Sequence, residues 1–110
     1  MPGTEFDILI TELRAFTKNR NWEKFHTPKN LSMAVAGEAG ELVSELRWLT
    51  ADESMKVNLE PNKLHAIALE IADIQILLLQ LADSLDVDIP KVVREKIEIN
   101  KTRKWETDNT

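Results

Sequence analysis

Five carboxylates set the first question. Glu38, Glu41 and Glu45 lie in the stretch AVAGEAGELVSE, and Glu70 and Asp73 lie in LEIADIQ. On a helix advancing about 100° per residue, Glu38, Glu41 and Glu45 fall within about 60° of one another. Their sector also holds Leu31, Ala34 and Leu49, with Leu42 and Trp48 at its edges. Glu70 and Asp73 share a face with Ala66, Leu77 and Leu81. The acids therefore recur on faces whose other residues are apolar. A bare carboxylate removed from water costs on the order of several kcal/mol or is forced to protonate. Arg47 falls on the other side of its helix and cannot neutralise them. A divalent cation can, and hard oxygen ligands suit Mg²⁺, with Mn²⁺ as a substitute. The competing reading is a solvated charged face, the ordinary fate of acids on a helix. Two separate helices, each with an acid pair at i, i+3 on an apolar face, weigh against it. Di-metal redox chemistry on Glu-x-x-His pairs is a further alternative. Neither His26 nor His65 stands at that spacing from these five acids.

The elements that must position these acids read as helices. The first spans about 4–19, with Thr4 as N-cap and Phe6, Leu9, Ile10, Leu13 and Phe16 at helical spacing. The second spans about 28–49, capped by Thr27 with Pro28 at its first position. TADESMKVNLEPN is a polar connection with room for a short turn. The third spans about 61–85, opens at Pro61 and is nearly apolar all round, which makes it the central helix. It is long enough to cross a membrane, but Glu70, Asp73, two glutamines and a histidine interrupt it, so no membrane is expected. The fourth follows Asp88, carries Pro90 in its first turn and runs to about 104, with a tail from about 106 expected to fray. The sum is one all-α domain over 1–110, a four-helix bundle. So apolar a third helix in so small a bundle implies a homo-oligomer.

Composition narrows the function. The net charge of −5 disfavours binding to a nucleic acid polymer, which needs a basic surface. The chain has no cysteine, which excludes disulfides and thiolate metal sites and fits a cytoplasmic protein. MPGTEFDILITEL lacks the pattern of a signal peptide.

Two of the three glycines, Gly37 and Gly40, sit among the acids of the second helix. Each costs a helix interior about 1 kcal/mol relative to alanine. They fall toward the far side of the wheel from the acids, so close helix packing is expected of them rather than phosphate contact. Trp22, Phe25, His26 and Trp48 flank the second helix. Lys96, Asn100 and Arg103 form one stripe of the fourth at i, i+4, i+7. The tryptophans are either core residues or stacking platforms, and the stripe is either solvated or a phosphate contact.

GEAGELVSELRW followed by EIADIQILLLQLA resembles the MazG-like all-α nucleotide pyrophosphohydrolases. Their signature is Glu-x-x-Glu, a spacer, then Glu-x-x-Asp, read here as Glu38, Glu41, Glu70 and Asp73. The flanks NWEKFHTPKNL and VDIPKVVREKIEINKTRKW resemble the dCTP pyrophosphatase branch, so the likeness covers about 20–105. The resemblance implies hydrolysis of a nucleoside triphosphate between its α and β phosphates, giving a monophosphate and pyrophosphate. It implies that Glu38, Glu41, Glu70 and Asp73 hold Mg²⁺, that Glu38 or Glu41 takes the proton, and that Glu45 supports them from one turn away. It implies nucleoside contacts at Trp22 and Trp48, with His26 beside them, and contacts from Lys96, Asn100 and Arg103 to phosphates, base or sugar. It also implies a homodimer or homotetramer whose sites neighbouring subunits complete.

One departure matters. Leu77 stands where dCTP-preferring relatives carry a tyrosine near the sugar, and this chain has no tyrosine; Trp105 stands where relatives often place one. The first expected substrate is dCTP or a modified dCTP, with the sugar and base preferences open. The alternatives are a non-enzymatic helical oligomerisation or interaction module that keeps the fold, and hydrolysis of a diphosphate or alarmone.

Overall fold

Three of the four helices begin at a side chain that takes up an otherwise unpaired backbone N–H. The Thr4 hydroxyl accepts from the Asp7 N–H at 3.1 Å, the Thr27 hydroxyl from Asn30 at 3.2 Å, and the Asp88 carboxylate from Lys91 at 3.1 Å. The computed structural model describes residues 4–103. Within them the chain forms α1 (Glu5–Asn19), α2 (Pro28–Leu46), α3 (Pro61–Ser84) and α4 (Ile89–Thr102), with short 3₁₀ turns at Glu23–Phe25 and Lys56–Asn58. No strand occurs among the described residues. The all-α reading and its four helices are as expected. The end expected for the fourth helix at about 104, Trp105, and the tail from about 106 lie outside the described residues.

The second helix is shorter than its periodicity predicts. It ends at Leu46 rather than near residue 49. The cause lies just beyond it. The Thr50 N–H donates to Glu53 at 2.8 Å while the Glu53 N–H donates to the Thr50 hydroxyl at 3.1 Å. This reciprocal capping box starts a new turn and draws the chain away from the axis of α2.

Both α1 and α3 finish in the same way. Asn21 (φ 57°) and Asp86 (φ 55°) take the left-handed conformation. The Trp22 N–H then reaches the Thr17 carbonyl, and the Val87 N–H the Ala82 carbonyl. These are Schellman closures, which pair carbonyls that a helix end leaves open.

Packing centres on α3, with α2 against it over most of its length and α1 against its C-terminal half. The buried apolar residues are Leu31 of α2 and Ile67, Leu79 and Ala82 of α3. The fourth helix is different: every residue from Lys91 to Arg103 is exposed. So are Phe6, Ile8, Leu9 and Phe16 on α1, and Leu64, Leu69, Ile71 and Ile76 on α3. The radius of gyration is 17.2 Å, against about 13 Å for a compact chain of this length. By length and composition α3 could cross a membrane, and little of it is buried within the single chain.

The glycine expectation needs correction. A Cβ added at Gly37 or Gly40 would meet nothing within 4 Å, and both residues are exposed. None of the described helices of the chain requires their small size.

Candidate metal centre and adjoining pocket

The α2–α3 hairpin brings its acids together by running antiparallel. Glu45 near the end of α2 meets Lys63 at the start of α3, with 3.0 Å between ammonium and carboxylate. Moving back along α2 and forward along α3 then sets Glu38 beside Glu70 and Asp73. One carboxylate oxygen from each of these three lies within 4.8 Å of the others. Glu38 and Glu70 are half-buried, and Asp73 is exposed.

This grouping is electrostatically unfavourable as it stands. Burial raises the pKa of Glu70 first, followed by the charges of Glu38 and Asp73, the hydrogen-bonding approach of Glu38, and the charge of Glu41. The Oε2 atom of Glu70 is buried without a hydrogen-bond partner among the described residues. An orphaned carboxylate oxygen facing two further carboxylates is the donor set a hard divalent cation takes. The residues present therefore fit Mg²⁺ or Mn²⁺. Glu41 is exposed and stands one turn from the trio, close enough for its charge to act on Glu70. Glu45 is engaged with Lys63 rather than with the trio.

The aromatic residues divide between two ends of the hairpin. Trp22 is positioned by the closure of α1 and packs edge-on against Phe16, with ring centroids 5.6 Å apart. The Arg20 guanidinium lies over both rings. His26 is half-buried and lines a pocket of about 200 Å³ between α1, the Glu23–Phe25 turn and α3. Trp48 follows Glu45 at the opposite end, 82% exposed, with the Arg47 guanidinium over its ring. Lys63 and Gln80, which mark the two ends on α3, are about 25 Å apart along the helix axis. Trp22 and Trp48 of one chain therefore cannot enclose the same base. Lys96 and Asn100 stand exposed along α4 and Arg103 just beyond its end, and none of them lines this pocket.

The same pocket holds residues to which the sequence reading gave no part in a site. Leu13 and Thr17 of α1 face Leu79 and Gln80 of α3 across it. The Arg14 guanidinium donates through two nitrogens to the two carboxylate oxygens of Asp83, with Nε at 2.9 Å. That pair lines both the pocket and a wider groove beyond it, toward the N-terminal half of α1 and the α3–α4 turn. Arg14 and Asp83 lie on different helices, so no local spacing announces them. Gln80 could have been found, because it extends the α3 stripe of Glu70, Asp73 and Leu77 by one more turn.

Comparison with known proteins agrees with this geometry. A profile of the MazG-like family matches residues 35–110. The chain is 39% identical over 88 residues to human dCTP pyrophosphatase 1, covering 80% of this chain and 52% of that protein. It thus spans about half the length of the curated relatives it matches. A shorter match, 49% identical over 37 residues, covers 34% of this chain and 35% of a dATP/dGTP diphosphohydrolase of Cyanophage S-2L. The crystal structure of a pyrophosphatase from Archaeoglobus fulgidus superposes with a TM-score of 0.82 at 33% identity, covering 93% of this chain and 95% of that one. Profile, sequence and fold converge over the same paired acids, and the chain belongs to the MazG-like family.

Proposed function

We propose that this protein is a divalent-metal-dependent nucleoside triphosphate pyrophosphohydrolase, with dCTP or a modified dCTP as its first substrate. The observation that carries the reading is the Glu38–Glu70–Asp73 trio with its orphaned Glu70 oxygen. Family membership and the pyrophosphatase relatives support it.

Glu38, Glu70 and Asp73 would hold Mg²⁺, with Glu41 completing the set from the next turn. When bound, the metal neutralises phosphate charge and lowers the pKa of a coordinated water. Glu38 or Glu41 takes the proton from the attacking water. Glu45, tied to Lys63, holds the end of α2 against α3. Trp22 and His26 sit at the pocket end, where a nucleoside can lie. Lys96, Asn100 and Arg103 supply phosphate, base or sugar contacts from α4.

The exposed apolar faces of α1, α3 and α4 support a homodimer or homotetramer. In such an assembly Trp48 and the α4 stripe would serve a site of a neighbouring subunit, since Trp48 is remote from Trp22 within its own chain. We read residues 1–110 as one domain acting on the nucleotide pool of the cytoplasm.

The test is a pyrophosphate-release assay on the common deoxynucleoside and nucleoside triphosphates and a few modified ones. It runs with Mg²⁺, with Mn²⁺ and with chelator, beside Glu41→Ala, Glu70→Gln and Asp73→Asn. The expected result is metal-dependent pyrophosphate with a matching monophosphate, lost in the Glu70 and Asp73 variants. Free phosphate instead would move the cleaved bond. No product from a folded, metal-binding protein would favour a non-enzymatic interaction module.

A further inference from the structure

The pocket between α1 and α3 lies on the same stripe as the metal-binding acids. Asp73 and Gln80 are seven residues apart, so they share a helix face about 10 Å apart along the axis. That is the scale of a nucleoside reaching from its α phosphate to its base. The pocket encloses about 200 Å³. A closed cavity of about 150 Å³ accepts benzene, so this open pocket has room for a six-membered ring with its substituents. Leu13 and Leu79 give it apolar walls for ring faces.

The polar groups around it differ in what they have to spare. Arg14 and Asp83 are held in a two-point ion pair that uses both carboxylate oxygens and two of the five guanidinium N–H donors. Thr17 is buried at 7% exposure. Its hydroxyl accepts a long bond of 3.4 Å from the Gln80 amide nitrogen. No hydrogen bond engages the Gln80 carbonyl oxygen among the described residues. Gln80 therefore offers an unspent acceptor beside an amide nitrogen that uses only one of its two N–H groups, in one long bond, to whatever enters. A carboxamide matches the adjacent donor and acceptor on the edge of a pyrimidine.

We propose that Gln80, steadied by Thr17, is the residue that reads the edge of the pyrimidine base. This rests on the pyrophosphohydrolase reading and adds a specificity determinant to it. Gln80 contacts the base edge and takes no part in the hydrolytic step.

The experiment measures kcat and KM for dCTP, dTTP, dUTP, dATP and dGTP with the wild type, Gln80→Leu, Gln80→Glu and Thr17→Val, each shown to be folded by its thermal melt. The wild type is expected to prefer a pyrimidine. Gln80→Leu is expected to lower kcat/KM for that pyrimidine by about tenfold to a hundredfold, mainly through KM. Gln80→Glu carries only acceptors, so on either pyrimidine it keeps the bond from the base's donor and sets a second acceptor against the base's own; it should lower kcat/KM for the preferred pyrimidine by about tenfold. Thr17→Val should weaken discrimination in the direction of Gln80→Leu. A wild type that prefers purines, or Gln80 variants that change all five nucleotides alike, overturns the inference and leaves the reaction standing. A wild type that releases pyrophosphate from none overturns both.

Discussion

The Lys63 ammonium lies 3.0 Å from a Glu45 carboxylate oxygen, and this ion pair marks the register in which α2 meets α3. Both side chains keep partial exposure, 36% for Lys63 and 28% for Glu45. Water therefore screens the pair, and its coupling should be about 0.5 kcal/mol. A double-mutant cycle with Glu45→Gln and Lys63→Met, read by urea unfolding, measures it. The same variants should weaken metal binding only slightly, because Glu45 supports the hairpin and does not belong to the trio. A loss of metal affinity matching that of Glu70→Gln would make Glu45 a ligand.

Glu70 gives the metal-free protein a pH dependence of definite sign. Its pKa is raised in the folded chain by burial and by Glu38, Asp73 and Glu41. In the unfolded chain the carboxyl returns to an ordinary value and ionises first as pH rises. The folded state then holds the extra proton, so stability falls as pH climbs from the unfolded pKa through the folded one. Thermal melts in chelator should show a higher midpoint at pH 5 than at pH 7. Glu70→Gln should flatten that difference. Mg²⁺ or Mn²⁺ should reverse it, because the cation binds the ionised carboxylates and stabilises the folded state by mass action.

The closure of α1 links helix stability to the placement of Trp22. Asn21 holds φ at 57°, a conformation that asparagine tolerates and alanine resists. Asn21→Ala should cost about 1 kcal/mol, and Asn21→Gly should leave stability level or slightly higher. The closing bond from Trp22 ends on the carbonyl of Thr17, which lines the Gln80 pocket. Asn21→Ala should therefore raise the KM for the nucleotide while kcat stays near the wild-type value. A fall in kcat with unchanged KM would separate Trp22 from nucleotide binding.

Much of this fold is legible because its signals are local. Thr4, Thr27 and Asp88 announce helix starts by their own chemistry, and each makes the expected bond. The paired acids are legible because a three-residue spacing on two apolar faces survives translation into space. The early end of α2 was also written in the chain, as Thr50 and Glu53, but a helical wheel that counts only apolar positions passes over it. Arg14–Asp83 and Glu45–Lys63 are of another kind. They depend on which helices pack and in what register, and no periodicity within one helix contains that information. Trp22 and Trp48 show the same limit. They bracket α2 in sequence, yet the length of the hairpin separates them in space.

Gly37 and Gly40 carry the last prediction, which reports on the assembly. Within one chain an added Cβ at either position meets open space, so alanine relieves the helix of a weak former without a clash. Gly37→Ala and Gly40→Ala should each stabilise the isolated chain by about 0.5–1 kcal/mol. If this face of α2 is also free in the assembled protein, the gain should persist at every protein concentration and the oligomeric state should not change. A second copy crossing closely over the glycines would reverse the result. Added methyl groups would then push the helices apart, and sedimentation would show weaker association. Urea unfolding over a range of protein concentrations, beside sedimentation of the two variants, distinguishes these cases. The expected outcome is a concentration-independent gain, because the apolar residues left uncovered lie mainly on α1, α3 and α4.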